Sequence, residues 1–311
     1  MKRYHADTNK IITSRKFIME TQELKEILRN EEKLKQVRIL DCSWYLPNDP
    51  KKAPELFKSE RIPYSQFFDI DEVADKSTDL AHMIPTEEEF TKHMKIMDIR
   101  KNDHILCYDR LGMFSAPRAW MAFKVFGCTN VYVLNGGYPK WVQENLPIER
   151  NDDYGIKKII REGACDSDYD FKLDRSKIIN MNQVIETSVK ITQGCKDDQL
   201  VDCRPPQRFR GEVDEPRPVK RRGHIDGAVN VFFKDLLYDN SCFKSNEEII
   251  GEFKKKNVNL DKPIIFSCGS GCTACTDILA MALIDKFESS KLYDGSWAEF
   301  VSYYKLIFRG M

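Results

Sequence analysis

The most constraining feature of this 311-residue chain is that its second half repeats its first. Four segments recur in the same order, and the two members of each pair start 159 to 163 residues apart. The pairs are VRILDCSWYL at 37 with QLVDCRPPQRF at 199, RIPYSQFFDI at 61 with HIDGAVNVFF at 224, DHILCYDR at 103 with KPIIFSCG at 262, and VLNGGYPKWV at 133 with LYDGSWAEFV at 292. Ordered repeats of this kind indicate a tandem duplication, which predicts two similar domains.

Each half alternates short apolar runs with helical patterns. The predicted strands cover residues 37–40, 104–108 and 131–134 in the first half, and 200–202, 264–267 and 291–293 in the second. Strands separated by helices form mainly parallel sheets with helices on both faces. The sequence therefore predicts an α/β fold with two such domains, at 19–147 and 172–311, joined by a charge-rich linker at 148–171.

Charge and composition argue against several kinds of partner. Lys plus Arg and Asp plus Glu number 49 each, so net charge gives no support for binding to nucleic acid or to a membrane surface. No apolar run approaches the ~18 residues of a membrane span. The ten cysteines are too sparse for a disulfide scaffold and lie mostly in apolar surroundings, which favours buried free thiols in a reducing compartment.

The first 18 residues, MKRYHADTNKIITSRKFI, carry five basic residues and one acid, with hydroxyl residues between them. This composition is typical of a mitochondrial presequence, and the segment lacks the apolar core of a secretion signal. A mitochondrial location is therefore the prediction. The alternative is a solvated basic tail on a cytoplasmic protein.

The segment CGSGCTAC at 268–275 follows a predicted strand and precedes an apolar helical pattern. Ligands bind at the carboxyl ends of strands in open parallel sheets, and glycines let several backbone N–H groups turn towards one point. The following helix adds its positive N-terminal end, so the loop favours an anion. Cys268 stands at the first position, and we expect it to be a persistent thiolate or a sulfur-loaded persulfide. Asp109 takes this position in the first half, so one copy has the nucleophile and the other does not.

Two other interpretations of this loop fit the sequence less well. The C-x3-C-x2-C spacing of Cys268, Cys272 and Cys275 also suits an iron–sulfur cluster of a radical enzyme. Such a loop normally opens a series of strand–helix units, yet few residues follow it here, and a helix that begins near Cys272 would turn the thiols apart. A phosphatase on the same fold needs an arginine six residues after the nucleophile, where this chain has Ala274.

These motifs resemble the tandem rhodanese family of sulfurtransferases over residues 20–308. The loop CGSGCTAC is similar to the C-G-S-G-V-T loop of the members that use 3-mercaptopyruvate, whereas members specific for thiosulfate usually carry C-R-K-G-V-T. The segments SWYLP, FFDID, SAPRAW, LNGGY, RFRG, GHI and YDGSW strengthen the resemblance. It implies two tandem rhodanese-like domains, of which the second is catalytic.

The resemblance also implies roles for residues in both halves. Arg208 and Arg217 fall on the family's carboxylate-binding arginines, and a forked guanidinium suits a planar carboxylate. Asp71 and His82 have the family's separation of 11 residues and, with Ser270, resemble its proposed Ser-His-Asp relay. Taken alone, the arginines would be solvated surface residues and the histidine a capping or surface residue. The remaining loop residues expected beside the substrate are Gly269, Gly271, Cys272 and Thr273.

The implied reaction moves sulfur from 3-mercaptopyruvate, through a Cys268 persulfide, to a thiol acceptor such as thioredoxin or to cyanide, and releases pyruvate. We expect it to need no cofactor and no metal. Thiosulfate is the alternative donor, and a structural subunit of a larger assembly is the alternative role. Two departures from the family stand out: Phe114 replaces a tyrosine, and Cys272 replaces a valine. We expect Cys272 to fill the volume of that valine, with a resolving thiol as the alternative.

Overall fold

The computed structural model describes residues 17–150, 163 and 165–307, with side chains up to residue 302. The predicted basic extension at 1–18 and the centre of the predicted linker therefore lie mostly outside the described residues. The strands of the described part are β1 (Ile18–Met19), β2 (Val37–Asp41), β3 (Glu60–Arg61), β4 (Ser65–Phe67), β5 (His104–Tyr108), β6 (Val131–Leu134), β7 (Glu149–Arg150), β8 (Ile178–Ile179), β9 (Leu200–Asp202), β10 (Ala228–Asn230), β11 (Ile264–Ser267) and β12 (Ser290–Tyr293).

Each half is built on a five-stranded parallel sheet. The strand order is β1-β6-β5-β2-β4 in the first half and β8-β12-β11-β9-β10 in the second, so the two sheets have the same topology. All neighbouring strands in both sheets run parallel. The predicted α/β fold with two parallel-sheet domains is confirmed. The repeat in the sequence is therefore also a repeat of the fold.

Helices connect the strands. Their bounds are α1 (Thr21–Leu28), α2 (Glu31–Leu34), α3 (Ala53–Ser59), α4 (Glu87–Met97), α5 (Ala116–Val125), α6 (Gly137–Gln143), α7 (Met181–Thr192), α8 (Pro206–Phe209), α9 (Asn246–Lys255), α10 (Ala274–Leu283) and α11 (Ser296–Ile307). None of them is both long and apolar enough to cross a membrane, within the part of the chain that the structure describes.

Helices α5 and α10 pack against each other and join the two halves. Every residue of α10 is buried, which explains why its sequence ACTDILAMAL is apolar all round instead of amphipathic. Both helices belong to one apolar cluster that runs through both halves of the molecule. Because α5 and α10 each begin just after the loop that ends the central strand of their sheet, the same packing brings those two loops together.

The segment predicted as a linker at 148–171 is in contact with the first half where it is described. Strand β7 pairs antiparallel with β3, and Glu149 forms a buried ion pair with Arg61. Phe171 packs edge-on against Phe90 of α4, with ring centroids 5.2 Å apart. The domain limits themselves stay predictions.

Candidate active site

The loops after the central strands β5 and β11 share a turn at glycine, although the first-half loop reaches its helix one residue later and also has positive φ at Met113. In each loop, the fourth residue is a glycine with positive φ: Gly112 at 73° and Gly271 at 75°. A side chain at Gly271 would place its Cβ 2.6 Å from the Asp294 carbonyl oxygen, so only glycine fits. This shared geometry makes the first-half loop an internal reference for the second.

The first-half loop holds an anion of its own, the carboxylate of Asp109. One oxygen accepts the backbone N–H groups of Phe114, Ser115 and Ala116 at 2.9, 3.0 and 2.8 Å, and the other accepts that of Leu111 at 2.9 Å. Burial raises the pKa of Asp109, and these four hydrogen bonds oppose the rise. The first-half loop is therefore an anion-binding nest, and the anion bound in it is the Asp109 carboxylate.

Cys268 occupies the equivalent position in the second half and is 2% exposed. The N–H groups of Gly269, Ser270, Cys272 and Thr273 have no acceptor among the described residues. The N–H groups of Cys268 and Gly271 instead donate to Ser296 Oγ, at 3.1 and 3.0 Å. The Ser296 hydroxyl therefore occupies those two N–H groups, and the prediction that several loop N–H groups bind one anion rests on the other four.

A cavity of about 320 Å³ opens between the two halves at this loop. Cys268, Gly269, Ser270, Cys272 and Thr273 all line it. Of the predicted loop residues, Gly271 alone does not line the cavity; it shapes the loop from behind, and its carbonyl accepts the Cys275 thiol at 3.2 Å.

The first half supplies an aromatic wall to the same cavity. Trp44 stacks on Phe114, with ring centroids 6.2 Å apart, and Phe114 meets Phe233 of the second half edge-on at 6.0 Å. The site is thus assembled from both copies. The domain without the nucleophile takes part in it through its side chains.

Arg208 lines the cavity, as predicted for a carboxylate-binding residue, but it already has a carboxylate partner. Glu215 accepts its Nε at 3.0 Å and also its Nη2, and accepts Nη1 of the buried Arg204 at 2.8 Å. The guanidinium lies over Gly269, where an added Cβ would approach Nη2 to 2.7 Å. The local charge at Arg208 is therefore largely neutralised within the protein.

Arg217 is the more available cation. It lines the cavity and forms no ion pair with a described residue; its guanidinium lies over the Trp44 ring at 5.3 Å. Burial lowers the pKa of Arg217, while Asp71 and Cys272 oppose that effect. A partly desolvated, unpaired guanidinium is a strong site for an anion.

Asp71 and His82 are brought together, as predicted. His82 Nδ1 lies 2.8 Å from Asp71 Oδ1, and the other carboxylate oxygen accepts Trp44 Nε1 at 2.7 Å. Burial lowers the pKa of His82. For Asp71, burial acts to raise the pKa, but His82, Trp44 and Arg217 outweigh it and the pKa is lowered. The carboxylate therefore stays ionised beside a neutral imidazole.

The third member of the predicted relay is not joined to the other two. Ser270 Oγ makes no hydrogen bond with any residue in the described ranges, and His82 Nε2 is buried without a partner there. The Asp71–His82 pair holds Trp44, whose ring meets the imidazole edge-on at 4.7 Å. The relay of Ser270, His82 and Asp71 stays a prediction.

A buried ion pair that sequence reasoning missed fastens the two halves at the loop. Arg118 of α5 lies 2.7 Å from Asp294, and both side chains are 3% exposed. The same guanidinium donates to the carbonyls of His82 and, at 3.5 Å, Gly271, while Asp294 accepts the Ile84 N–H at 2.6 Å. Both residues lie in segments that carry the family resemblance, SAPRAW and YDGSW, but nothing in the sequence paired one with the other.

The three cysteines of the loop are not equivalent. Cys275 is fully buried in α10, where it packs in the apolar cluster. Cys272 lines the cavity, is 3% exposed and donates to the Phe114 carbonyl at 3.4 Å. Burial raises the pKa of Cys272 well above its usual value and that of Cys275 to about 12. Both are therefore neutral thiols, each with its own carbonyl acceptor, while Cys268 stands at the cavity.

Comparison with known proteins defines the class. The family described as rhodanese-like domain matches residues 20–144 and 187–303, one match in each half. The chain belongs to the rhodanese family, which confirms the resemblance predicted from its motifs.

The relatives span nearly the whole chain. It is 34% identical to the mouse 3-mercaptopyruvate sulfurtransferase over 284 residues, which cover 91% of each protein. It is 37% identical to the chicken thiosulfate sulfurtransferase over 266 residues, which cover 85% of this chain and 86% of that protein. Among solved structures, SseA from Escherichia coli, described with the 3-mercaptopyruvate sulfotransferases, superposes with a TM-score of 0.76 at 32% identity and covers 91% of this chain and 99% of that one.

Proposed function

We propose that this protein is a sulfurtransferase that takes sulfur from 3-mercaptopyruvate, carries it as a persulfide on Cys268 and releases pyruvate. Sulfurtransferase activity is common to its named relatives. One observation supports the mechanism above the others: the loop that binds the Asp109 carboxylate in the first copy presents Cys268 at the same place in the second.

The donor step begins with binding of the substrate carboxylate. Arg217 forms no ion pair with a residue in the described part of the chain, and Arg208 adds a second guanidinium that it shares with Glu215. Cys268 as a thiolate attacks the substrate sulfur, the carbon–sulfur bond breaks, and pyruvate enolate leaves and takes up a proton. The N–H groups of Ser270 and Thr273 stabilise the charge on the sulfur. In this proposal Ser270, oriented by His82 and Asp71, relays the proton.

The acceptor step returns Cys268 to its thiolate. A thiol acceptor such as thioredoxin, or cyanide, attacks the outer sulfur of the persulfide, and the Cys268 thiolate leaves. Cys268 lines the cavity, which supports access for an acceptor. We further propose that residues 1–18 direct the protein to mitochondria. Imaging in cells of a fluorescent protein fused behind those residues tests this proposal. A cytoplasmic signal would contradict it.

A paired assay of donors tests the proposed function. With cyanide as acceptor, pyruvate formed from 3-mercaptopyruvate and thiocyanate formed from thiosulfate are measured on the same protein. We expect the higher kcat/KM with 3-mercaptopyruvate, because the loop has Gly269 and Ser270 where cations would suit a dianion. A preference for thiosulfate would assign the alternative donor. Absence of both products would favour a structural subunit.

The Cys268→Ser variant provides the matched control for the nucleophile. We expect it to lose both products, since a serine hydroxyl cannot form the persulfide under these conditions. Sulfur transfer that survives in Cys268→Ser would contradict the proposal. Its thermal unfolding, compared with that of the unaltered protein, shows whether the loss is chemical or structural.

A further inference from the structure

A second cysteine lies beside the proposed nucleophile at the edge of the second sheet. Strands β9 and β11 pair with Asp202 opposite Ser267, so the next residues, Cys203 and Cys268, lie opposite each other. The Cys203 N–H donates to the Ser267 carbonyl at 2.9 Å, which continues the ladder to this point. Neighbouring strands are about 4.8 Å apart, a separation that a disulfide can bridge.

The two thiols also lie on the same face of the sheet. Along each strand, alternate residues belong to one apolar cluster, and Cys203 and Cys268 share it with Val201 and Phe266. Ile265, which precedes Phe266 in the same strand, packs in the other cluster, on the opposite face of the sheet. Both cysteines are fully or almost fully buried, and neither is in a disulfide.

A carboxyl group covers these thiols from α10. Asp277 is fully buried, and neither of its oxygens has a hydrogen-bond partner of ordinary geometry among the described residues. Burial raises the pKa of Asp277 well above its usual value. The neighbouring groups Asp202, Asp235 and Cys268 all act to raise its pKa, while the Cys203 thiol interacts with its carboxyl. A buried carboxyl without a cation is costly and stays protonated, and the fold gives no packing reason for it.

We infer that Cys203 and Asp277 form an internal resolving pair that discharges the Cys268 persulfide as hydrogen sulfide when no external acceptor arrives. The inference rests on the proposed function, which supplies the persulfide. Cys203 Sγ attacks Cys268 Sγ, a bond forms between those two atoms, and the bond from Cys268 Sγ to the outer sulfur breaks.

Atoms and electrons balance without another oxidant. The outer sulfur leaves with the bonding electron pair and is reduced to the level of sulfide, while the two cysteine thiols are oxidised to a disulfide. A protonated carboxyl can pass one proton to the departing sulfur and accept the Cys203 proton on its other oxygen. Asp277 therefore ends as it began, and a reducing thiol later reopens the disulfide.

The test uses the whole chain with one equivalent of 3-mercaptopyruvate, which is itself a thiol, and no other acceptor. We expect a burst of about one hydrogen sulfide per chain, and a disulfide between the Cys203 and Cys268 peptides. Cys203→Ala should reduce the burst at least about tenfold and leave one extra sulfur on Cys268, while its turnover with cyanide stays unchanged. Asp277→Asn should slow the burst about tenfold, because the proton relay is lost.

Cys42→Ala is the matched control. Cys42 is the first-half counterpart of Cys203, since its N–H donates to the Tyr108 carbonyl at 2.8 Å. The residue opposite it is Asp109 instead of the nucleophile, and its thiol neighbours Cys107 within the first half. Its burst should equal that of the unaltered protein. The inference is overturned if Cys203→Ala releases hydrogen sulfide as fast as the unaltered chain, or if the disulfide joins Cys268 to Cys272. If no variant releases pyruvate even with cyanide present, the proposed function has failed and this inference fails with it.

Discussion

At the residue scale, the two arginines of the cavity have identical side chains but differ in whether a carboxylate neutralises their charge. Both stand in the segment RFRGEVDEPR, and both were predicted as carboxylate ligands. Folding places Glu215 against Arg208 and leaves Arg217 over Trp44 without an ion pair in the described residues. The sequence predicts which residue types reach the substrate, but which cation is free depends on contacts that only the fold creates.

Arg217→Gln should weaken the binding of the substrate carboxylate more than it changes the chemical step. A charged hydrogen bond is worth about 1.5–3 kcal/mol, so kcat/KM for 3-mercaptopyruvate should fall about 10- to 150-fold, mainly through KM. Steady-state kinetics measures this. Arg210→Gln is the control, since Arg210 is exposed and pairs only with Glu212 at the surface. An equal loss in both variants would contradict the role of Arg217.

Glu215→Gln should shift the donor preference towards thiosulfate. The change removes the negative charge that neutralises Arg208, so the cavity gains one unit of positive charge and favours a dianion over a monoanion. We expect the ratio of kcat/KM for thiosulfate to that for 3-mercaptopyruvate to rise about tenfold, or about 1.4 kcal/mol. Glu212→Gln, which alters an exposed pair in the same segment, should leave the ratio unchanged.

At the scale of elements, the loop between β11 and α10 takes its form from a residue in a different element. The glycine spacing of CGSG predicts a tight turn at a strand end, and that prediction succeeds because positive φ is a local requirement. Ser296, at the start of α11, then fixes two of the loop N–H groups. Its first-half counterpart in the repeat is Gly137, which has no hydroxyl, so the repeat itself could not reveal this contact.

Ser296→Ala should loosen this loop while leaving the cavity cations in place. The N–H groups of Cys268 and Gly271 would lose their acceptor, at a cost of about 1–3 kcal/mol in the free energy of unfolding. We expect kcat with 3-mercaptopyruvate to fall while KM changes little. Urea unfolding and steady-state kinetics measure the two effects. Ser302→Ala, on the exposed side of the same helix, should change neither, and an unchanged kcat in Ser296→Ala would contradict the role of the hydroxyl.

At the scale of the whole molecule, the duplication explains why the copy without a nucleophile is part of the site. The alternation of strands and helices and the ordered repeats predict the two parallel-sheet domains and three strands of each sheet correctly, because each signal is carried by local sequence. The strands β1, β4, β8 and β10 are only two or three residues long and were not predicted. The contacts between the two halves leave no comparable pattern in the local sequence. The pair of Arg118 and Asp294 joins residues 176 positions apart, and only packing of α5 on α10 brings them together.

Asp294→Asn should weaken that junction. It leaves the buried Arg118 guanidinium without its counter-charge, which typically costs 3–5 kcal/mol, so we expect the free energy of unfolding to fall by about that amount. Urea denaturation followed by tryptophan fluorescence measures it. Asp261→Asn removes a carboxylate from an exposed pair and should have almost no effect. Similar stability losses in the two variants would contradict a special role for the junction.

Asp277→Asn should stabilise the protein, and increasingly so as the pH rises. In the folded chain burial raises the pKa of Asp277, whereas in the unfolded chain the carboxyl titrates near its usual value of about 3.9. The stability that this group contributes is therefore present below about pH 4 and is lost as the pH rises towards the folded pKa, by up to about 1.4 kcal/mol per pH unit. Urea unfolding of both proteins from pH 4 to pH 8 measures the difference, and a constant difference would show that the folded carboxyl is not protonated.

The most direct test of the central claim is to locate the transferred sulfur within one turnover. The protein is mixed with 3-mercaptopyruvate, quenched at once with an alkylating reagent and mapped by peptide mass spectrometry, while pyruvate is counted in the same sample. The account predicts one added sulfur on the peptide of Cys268, in step with pyruvate. Pyruvate released with the sulfur on Cys272 or Cys275, or with neither added sulfur nor a disulfide on the peptide of Cys268, would contradict it.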